Sequence, residues 1–108
     1  MSKIDLQDYI KFGKLFDAYG NLLSEDRQKV VSMYFEFNMT LVEIAKEKNI
    51  SRQAVLDSIE KSCLKLEEYE NKLHIVEKEE LLDAKLRELL AVCKTDEQKR
   101  KVEELLRK

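Results

Sequence analysis

There is no proline in this chain, and no glycine after Gly20. Hairpins and tight turns need residues that tolerate positive φ or fix φ near −65°, and glycine and proline supply most of them. A chain that runs from Asn21 to Lys108 without either lacks the turns of a sheet protein, so the fold is read as all-α. Its 108 residues suit one compact domain, or a small core with a helical extension. At this length roughly two-thirds of the unfolded surface is buried, which is enough to fold without disulfides or a structural metal.

Charge narrows the function classes. The 20 Lys+Arg against 22 Asp+Glu give a formal net charge of −2. That balance excludes a polybasic protein that holds nucleic acid by bulk charge. A hydrophobic share of 44% with no single-sign excess excludes disorder. The longest apolar run, Leu89 to Cys93, is five residues, where a membrane span needs roughly 20. The opening MSKIDLQDYI has no signal-peptide core, so a cytoplasmic protein is expected. Cys63 and Cys93 stand 30 positions apart and His74 is the only histidine, so neither a zinc site nor any other metal or cofactor is expected. Both cysteines are read as reduced and half-buried on helices.

Helical periodicity and capping residues divide the chain. A first helix is predicted from about Asp5 to Tyr19, with Leu6, Tyr9, Ile10, Phe12, Leu15, Phe16 and Tyr19 on one face and Gly20 closing it in the left-handed conformation. Ser24 caps a second helix carrying Val30, Val31, Tyr34 and Phe35 and ending near Asn38. Thr40 and Glu43 make a capping box for a third, with Leu41, Ile44 and Ala45 inward. Ser51 caps a fourth, whose inner positions are Val55, Leu56, Ile59, Cys63, Leu66 and Tyr69, with a break or kink at Asn71. A fifth helix carries Ile75, Leu82, Leu86, Leu89 and Cys93. A sixth, opened by a Thr95–Gln98 capping box, carries Val102, Leu105 and Leu106. Residues 1–75 are read as a helical domain, and 76–108 as helices that pack on it or on a dimer partner.

Leu41 to Ile59 is the informative stretch. A helix–turn–helix packs two short helices steeply across a short turn. It needs a small residue where they touch, a turn-tolerant residue four later, and an apolar plug for the corner. Ala45, Asn49 and Ile50 fill those roles in order, within a motif spanning about 40–64. Ser51, Arg52, Gln53 and Leu56 then lie at the start of the second helix, the end that meets base edges in the major groove. Arg and Gln can make bidentate contacts with guanine and adenine, and Lys46, Lys48, Lys61 and Lys65 are placed to reach phosphates. From Thr40 to Leu66 five bases stand against four acids, a net of +1, and Asp57 lies near the reading face. Binding to DNA by this module alone is therefore expected to be weak and salt-sensitive.

EIAKEKNISRQAVLDSI resembles the helix–turn–helix of sigma-factor region four, whose second helix begins with Ser and reads promoter DNA. More closely, the run from Tyr34 through SRQAVLDSIEKSCLKLEEYENKLHI resembles the YlxM family of small bacterial proteins. The resemblance runs from about Phe16 to Ile75, and its most specific strings are ISRQAV and LEEYENKLHI; the tail beyond about Lys78 matches little. It implies an all-helical, sigma-region-four-like core in a DNA-binding regulatory protein. It also implies a part in protein targeting by the signal recognition particle, because the family's genes lie beside those for the particle's GTPase and its receptor. Ser51, Arg52, Gln53 and Ala54 match the start of the recognition helix. The chain lacks the sigma regions that hold core polymerase and melt promoters.

Nothing in the sequence points to catalysis. With a single histidine, eleven residues from Cys63, no relay is formed locally, and no glycine-rich phosphate loop exists after Gly20. The stretch from Glu67 to Glu80 holds six acids and two lysines, a net of −4, either a solvated helical surface or one that a basic protein partner would meet. Two working readings remain beside a third. One is a DNA-binding regulator, and another is a protein- or RNA-interaction module that binds the signal recognition particle GTPase, its receptor or the particle RNA. The third is a dimeric helical scaffold held by leucines such as Leu89, Leu90, Leu105 and Leu106.

Overall fold

The computed structural model describes residues 6–106; the predicted helix start at Asp5 and the side chain of Leu6 lie outside that description. The order is α1 (Leu6–Tyr19), a 3₁₀ turn (Gly20–Leu22), α2 (Glu25–Phe35), α3 (Leu41–Lys48), α4 (Arg52–Leu73), α5 (Ile75–Ala91) and α6 (Asp96–Leu106). The protein is all-α, with no strand among the described residues. It divides into two compact units, one ending at His74 and the other beginning at Ile75.

The first unit is built around α4, against which α1, α2 and α3 all pack. Val55, Ile59, Cys63 and Leu66 are buried along its inner side, meeting a core that holds Phe12, Leu15 and Tyr19 of α1, Val30, Val31 and Phe35 of α2, and Ile44 of α3. Burial of side chains this size is the main term that holds such a bundle together, about 1.5–3 kcal/mol for each. Aromatic contacts tie α1 in at both ends. Tyr9 lies 5.1 Å from the Phe35 ring and Tyr19 lies 5.9 Å from the Tyr69 ring. The Tyr9 hydroxyl donates to the carbonyl oxygens that close α2, 2.9 Å from that of Phe35 and 3.1 Å from that of Tyr34, groups that a helix end otherwise leaves to water.

Four local expectations are corrected. Gly20 has no left-handed φ; it opens the 3₁₀ turn. Its hydrogen is needed for another reason, because a Cβ there would stand 2.8 Å from the Phe16 ring. Among the described residues the left-handed positions are Asn38, Asn49 and His74, and α2 ends at Phe35, short of Asn38. There is no break at Asn71: α4 runs on to Leu73 and is closed by His74 at φ 55°. Just before Asn71, Tyr69 packs on the Tyr19 ring and Glu70 accepts a hydrogen bond from the Tyr19 hydroxyl. The cost of an asparagine inside a helix is only some tenths of a kcal/mol, too little to break it. Finally, Ile50 does not plug the corner of the helix–turn–helix. It is 40% exposed, while Ile44 of α3 and Val55 of α4 are the fully buried residues of the pair.

In the second unit α5 packs on α6, with Leu86 and Val102 buried. The capping box expected at α6 is formed: the Gln98 N–H donates to Thr95 Oγ1 at 3.1 Å, and Gln98 Oε1 accepts from the Thr95 N–H at 3.4 Å.

Candidate nucleic-acid interface

The turn between α3 and α4 is fixed at both ends by residues the sequence places there. Thr40 Oγ1 accepts from the Glu43 N–H at 3.1 Å, and Glu43 Oε1 accepts from the Thr40 N–H at 2.8 Å. Hydrogen bonds to the Glu43 carboxylate from Thr40, first from its backbone N–H and then from its hydroxyl, hold that carboxyl below its ordinary value. At the far end of α3, Asn49 sits at φ 57°, ψ 47°. Its N–H reaches the Lys46 carbonyl at 3.3 Å, and the Ile50 N–H reaches the Ala45 carbonyl at 3.0 Å, the paired bonds of a Schellman closure. Ser51 then accepts from the Ala54 N–H at 3.0 Å, which starts α4 within two residues of the turn. Val55 and Ile59, both buried, lock that helix to the core.

The packing decides which side chains face out. Arg52 and Gln53 are exposed in the first turn of α4, and Asp57, Lys61, Leu64 and Lys65 are exposed further along. Gln53, Asp57 and Lys61 follow one another at four-residue steps and so share one stripe, opposite the buried side. Gln53 Nε2 donates to Asp57 Oδ1 at 3.0 Å, so the carboxylate on this face is occupied by an amide of its own helix. Leu56 is half-buried and contributes only its edge.

The lysines expected to reach phosphates separate into two kinds. Lys46, Lys61 and Lys65 are exposed. Lys48 has a side chain only 19% exposed, and its Nζ lies 2.6 Å from Asp26 Oδ1, a brace between α3 and the first turn of α2. That hydrogen bond and charge hold the Asp26 carboxyl below the usual carboxylate range.

The packing also brings in a residue that sequence reasoning did not select. The start of α2 lies beside α4, and between them is a shallow cleft of about 350 Å³ lined by residues including Ser24, Arg27, Asp57, Ser58 and Lys61. Arg27 and Lys61 flank it, and no salt bridge engages either cation among the described residues. The Ser24 cap was legible and put Arg27 in the first turn of α2. Nothing local says that this turn stands next to Lys61, because that is a long-range packing fact.

The arrangement offers hydrogen-bond donors and cations on one helix face. Ser51 is engaged as a cap. Cys63 is buried away from the face, and burial, with Glu67 and Glu60 nearby, pushes its thiol up to about 12. Both cysteines are free thiols. Among the described residues no group of His, Cys, Asp and Glu could hold a metal ion, and no helix is long and apolar enough to cross a membrane.

A capped α3, a left-handed asparagine turn and a second helix presenting Arg52 and Gln53 define a helix–turn–helix protein. The chain belongs to the UPF0122 family, described as "Putative helix-turn-helix protein, YlxM / p13 like", whose profile matches residues 6–106. It is similar to a UPF0122 protein of Shouchella clausii, with 39% identity over 92 residues that cover 85% of this chain and 84% of the relative. A UPF0122 protein of Halalkalibacterium halodurans is 42% identical over 73 residues, covering 68% and 67%. The UPF0122 protein YofM of Lactococcus lactis is 34% identical over 94 residues, covering 87% and 85%. The family match extends through α5 and α6, so the tail beyond Lys78, which matched little by resemblance, belongs to the family's length. The family's description names a fold and no reaction.

Proposed function

We propose that the protein is a DNA-binding regulator that lays the first turns of α4 in the major groove. The observation that carries this reading is the exposed pair Arg52 and Gln53 on a helix start held by the Ser51 cap and by buried Val55. Arg52 suits guanine and Gln53 suits adenine, once its amide leaves Asp57. Lys46, Lys61, Lys65 and Arg27 supply phosphate contacts, which set register and orientation. Lys48 acts indirectly, by holding α3 to α2. The sigma-region-four-like motif supports this mode of reading, the family resemblance supports a part in protein targeting by the signal recognition particle, and the reading takes the protein to act in the cytoplasm.

A second reading has its own support. Asp57 is exposed on the face, and an anion there repels phosphates even with one oxygen engaged. That favours a module for the particle's GTPase or its receptor, with no specific DNA binding; the particle RNA, a polyanion like DNA, enters this reading through the family resemblance alone.

One titration separates them. Labelled duplex DNA and signal recognition particle RNA are each titrated with the protein at about 50 and 200 mM salt; three or four phosphate contacts weaken DNA binding by roughly two orders of magnitude across that range. Salt-dependent DNA binding lost in Arg52→Glu supports the first reading. Tight RNA binding with feeble DNA binding overturns it in favour of the second.

A further inference from the structure

The second unit leaves most of its apolar side chains in water. Leu81, Leu89 and Val92 are 59%, 49% and 68% exposed, and Leu82 is close to half exposed. A pair of helices this short buries too little to be well satisfied by itself, and association is the usual remedy. The charges show what would cover it. From Ile75 to Asp83 there are four acids and one lysine, a net of −3; from Ala84 to Lys101 there are six bases and three acids, a net of +3. At the basic end, a groove of about 460 Å³ is lined by Leu89, Val92 and Val102 and by Lys94 and Lys101, the latter in an exposed 3.8 Å pair with Glu97 that solvent screens and a partner's carboxylate can replace. At the acidic end, Leu81 and Leu82 project beside Glu79 and Glu80.

We infer that this unit pairs antiparallel with the same unit of a second copy, each copy's Leu81 and Leu82 entering the other's groove while Glu79 and Glu80 meet Lys94 and Lys101. A two-fold axis across α5 makes the contact twice, as self-complementary interfaces do. A parallel pairing is disfavoured, because it lays the acidic half on the acidic half and the basic on the basic. This pairing is independent of what the helix–turn–helix binds.

The test uses the full chain, with molar mass measured by sedimentation equilibrium over a concentration series and helicity followed by circular dichroism. The wild type is expected to form dimers. Leu81→Glu and Val92→Glu, both at exposed positions, should keep their helicity and weaken association at least about tenfold, as should the double reversal Lys94→Glu/Lys101→Glu. Adding Glu79→Lys/Glu80→Lys to that double reversal exchanges the two ends and should restore the dimer. A monomer at every concentration overturns the proposal. So does a dimer indifferent to Leu81→Glu and Val92→Glu, and so does a charge reversal that the fourfold exchange fails to rescue.

Discussion

Lys48 and Asp26 meet at 2.6 Å, and the contact joins the last turn of α3 to the first turn of α2. It crosses from the helix–turn–helix to the helix that supports it, and it engages as a brace a lysine that the sequence offers as a phosphate ligand.

The pair has a pH signature. Lys48 lowers the Asp26 carboxyl first by its hydrogen bond and then by its charge, from an ordinary value of 3.8. A lowered folded-state value favours the carboxylate in the fold, so the contribution is complete above the ordinary value and disappears as pH falls through the lowered one. Glu43 behaves the same way through Thr40. Urea midpoints measured from pH 7 down to pH about 2.5 should fall at the acid end, and should fall less steeply in Lys48→Met. At neutral pH, Thr40→Ala should cost about 1 kcal/mol through loss of the cap. An acid limb equally steep in Lys48→Met would remove the brace from the account.

The two glycines should respond in opposite directions. An added methyl at Gly20 meets the Phe16 ring at 2.8 Å, so Gly20→Ala should destabilise by about 1–3 kcal/mol. Gly13 lies inside α1 with nothing within 4 Å of where a Cβ would stand. Gly13→Ala should therefore stabilise by about 0.5–1 kcal/mol. Thermal melts of the two variants read both signs at once.

The thiols should differ in reactivity. Cys63 is buried and pushed up to about 12, whereas Cys93 is half-buried in the second unit, its sulfur 3.2 Å from the Leu89 carbonyl. Thiolate is the reactive form. A disulfide reagent at pH 8 should modify one thiol per native chain quickly and the second only at the rate of unfolding, with Cys93→Ser removing the fast phase.

If the face beside α2 meets a phosphate backbone, Arg27→Ala and Lys61→Ala should each lower the slope of log affinity against log salt by roughly 1, with little change in sequence preference. Gln53→Ala should do the reverse, changing preference and leaving the slope. A binding isotherm series at four salt concentrations distinguishes the two behaviours. Equal slopes in wild type and both cation variants would take the cleft out of the interface.

Local chemistry was the legible part of this fold. The caps at Ser24, Thr40, Ser51 and Thr95 act within three or four residues, and hydrogen bonds to each are found. Asn49 was readable for the same reason, because left-handed backbone is a one-residue property. What could not be read depends on partners far along the chain. The anchoring of the last turns of α4 by Tyr69 and Glu70 rests on Tyr19, some fifty residues away. Ile50 is exposed while Ile44 and Val55 are fully buried, a division set by the packing of whole helices. The brace role of Lys48 and the place of Arg27 both depend on where α2 starts relative to α4. Of the candidate interface, the sequence indicated Arg52 and Gln53 by position on a capped helix; it had no local signal for the residues across the cleft.

Helix α4 is about 33 Å long and carries its two kinds of residue interleaved, with Val55, Ile59 and Leu66 inward and Gln53, Asp57 and Lys61 outward over the same turns. Neighbouring codons therefore answer to different selective pressures. Substitutions at the outward set can retune what the surface recognises while the bundle's central strut stays intact, so descendants of one ancestral chain could exchange partners without passing through an unfolded intermediate in their history.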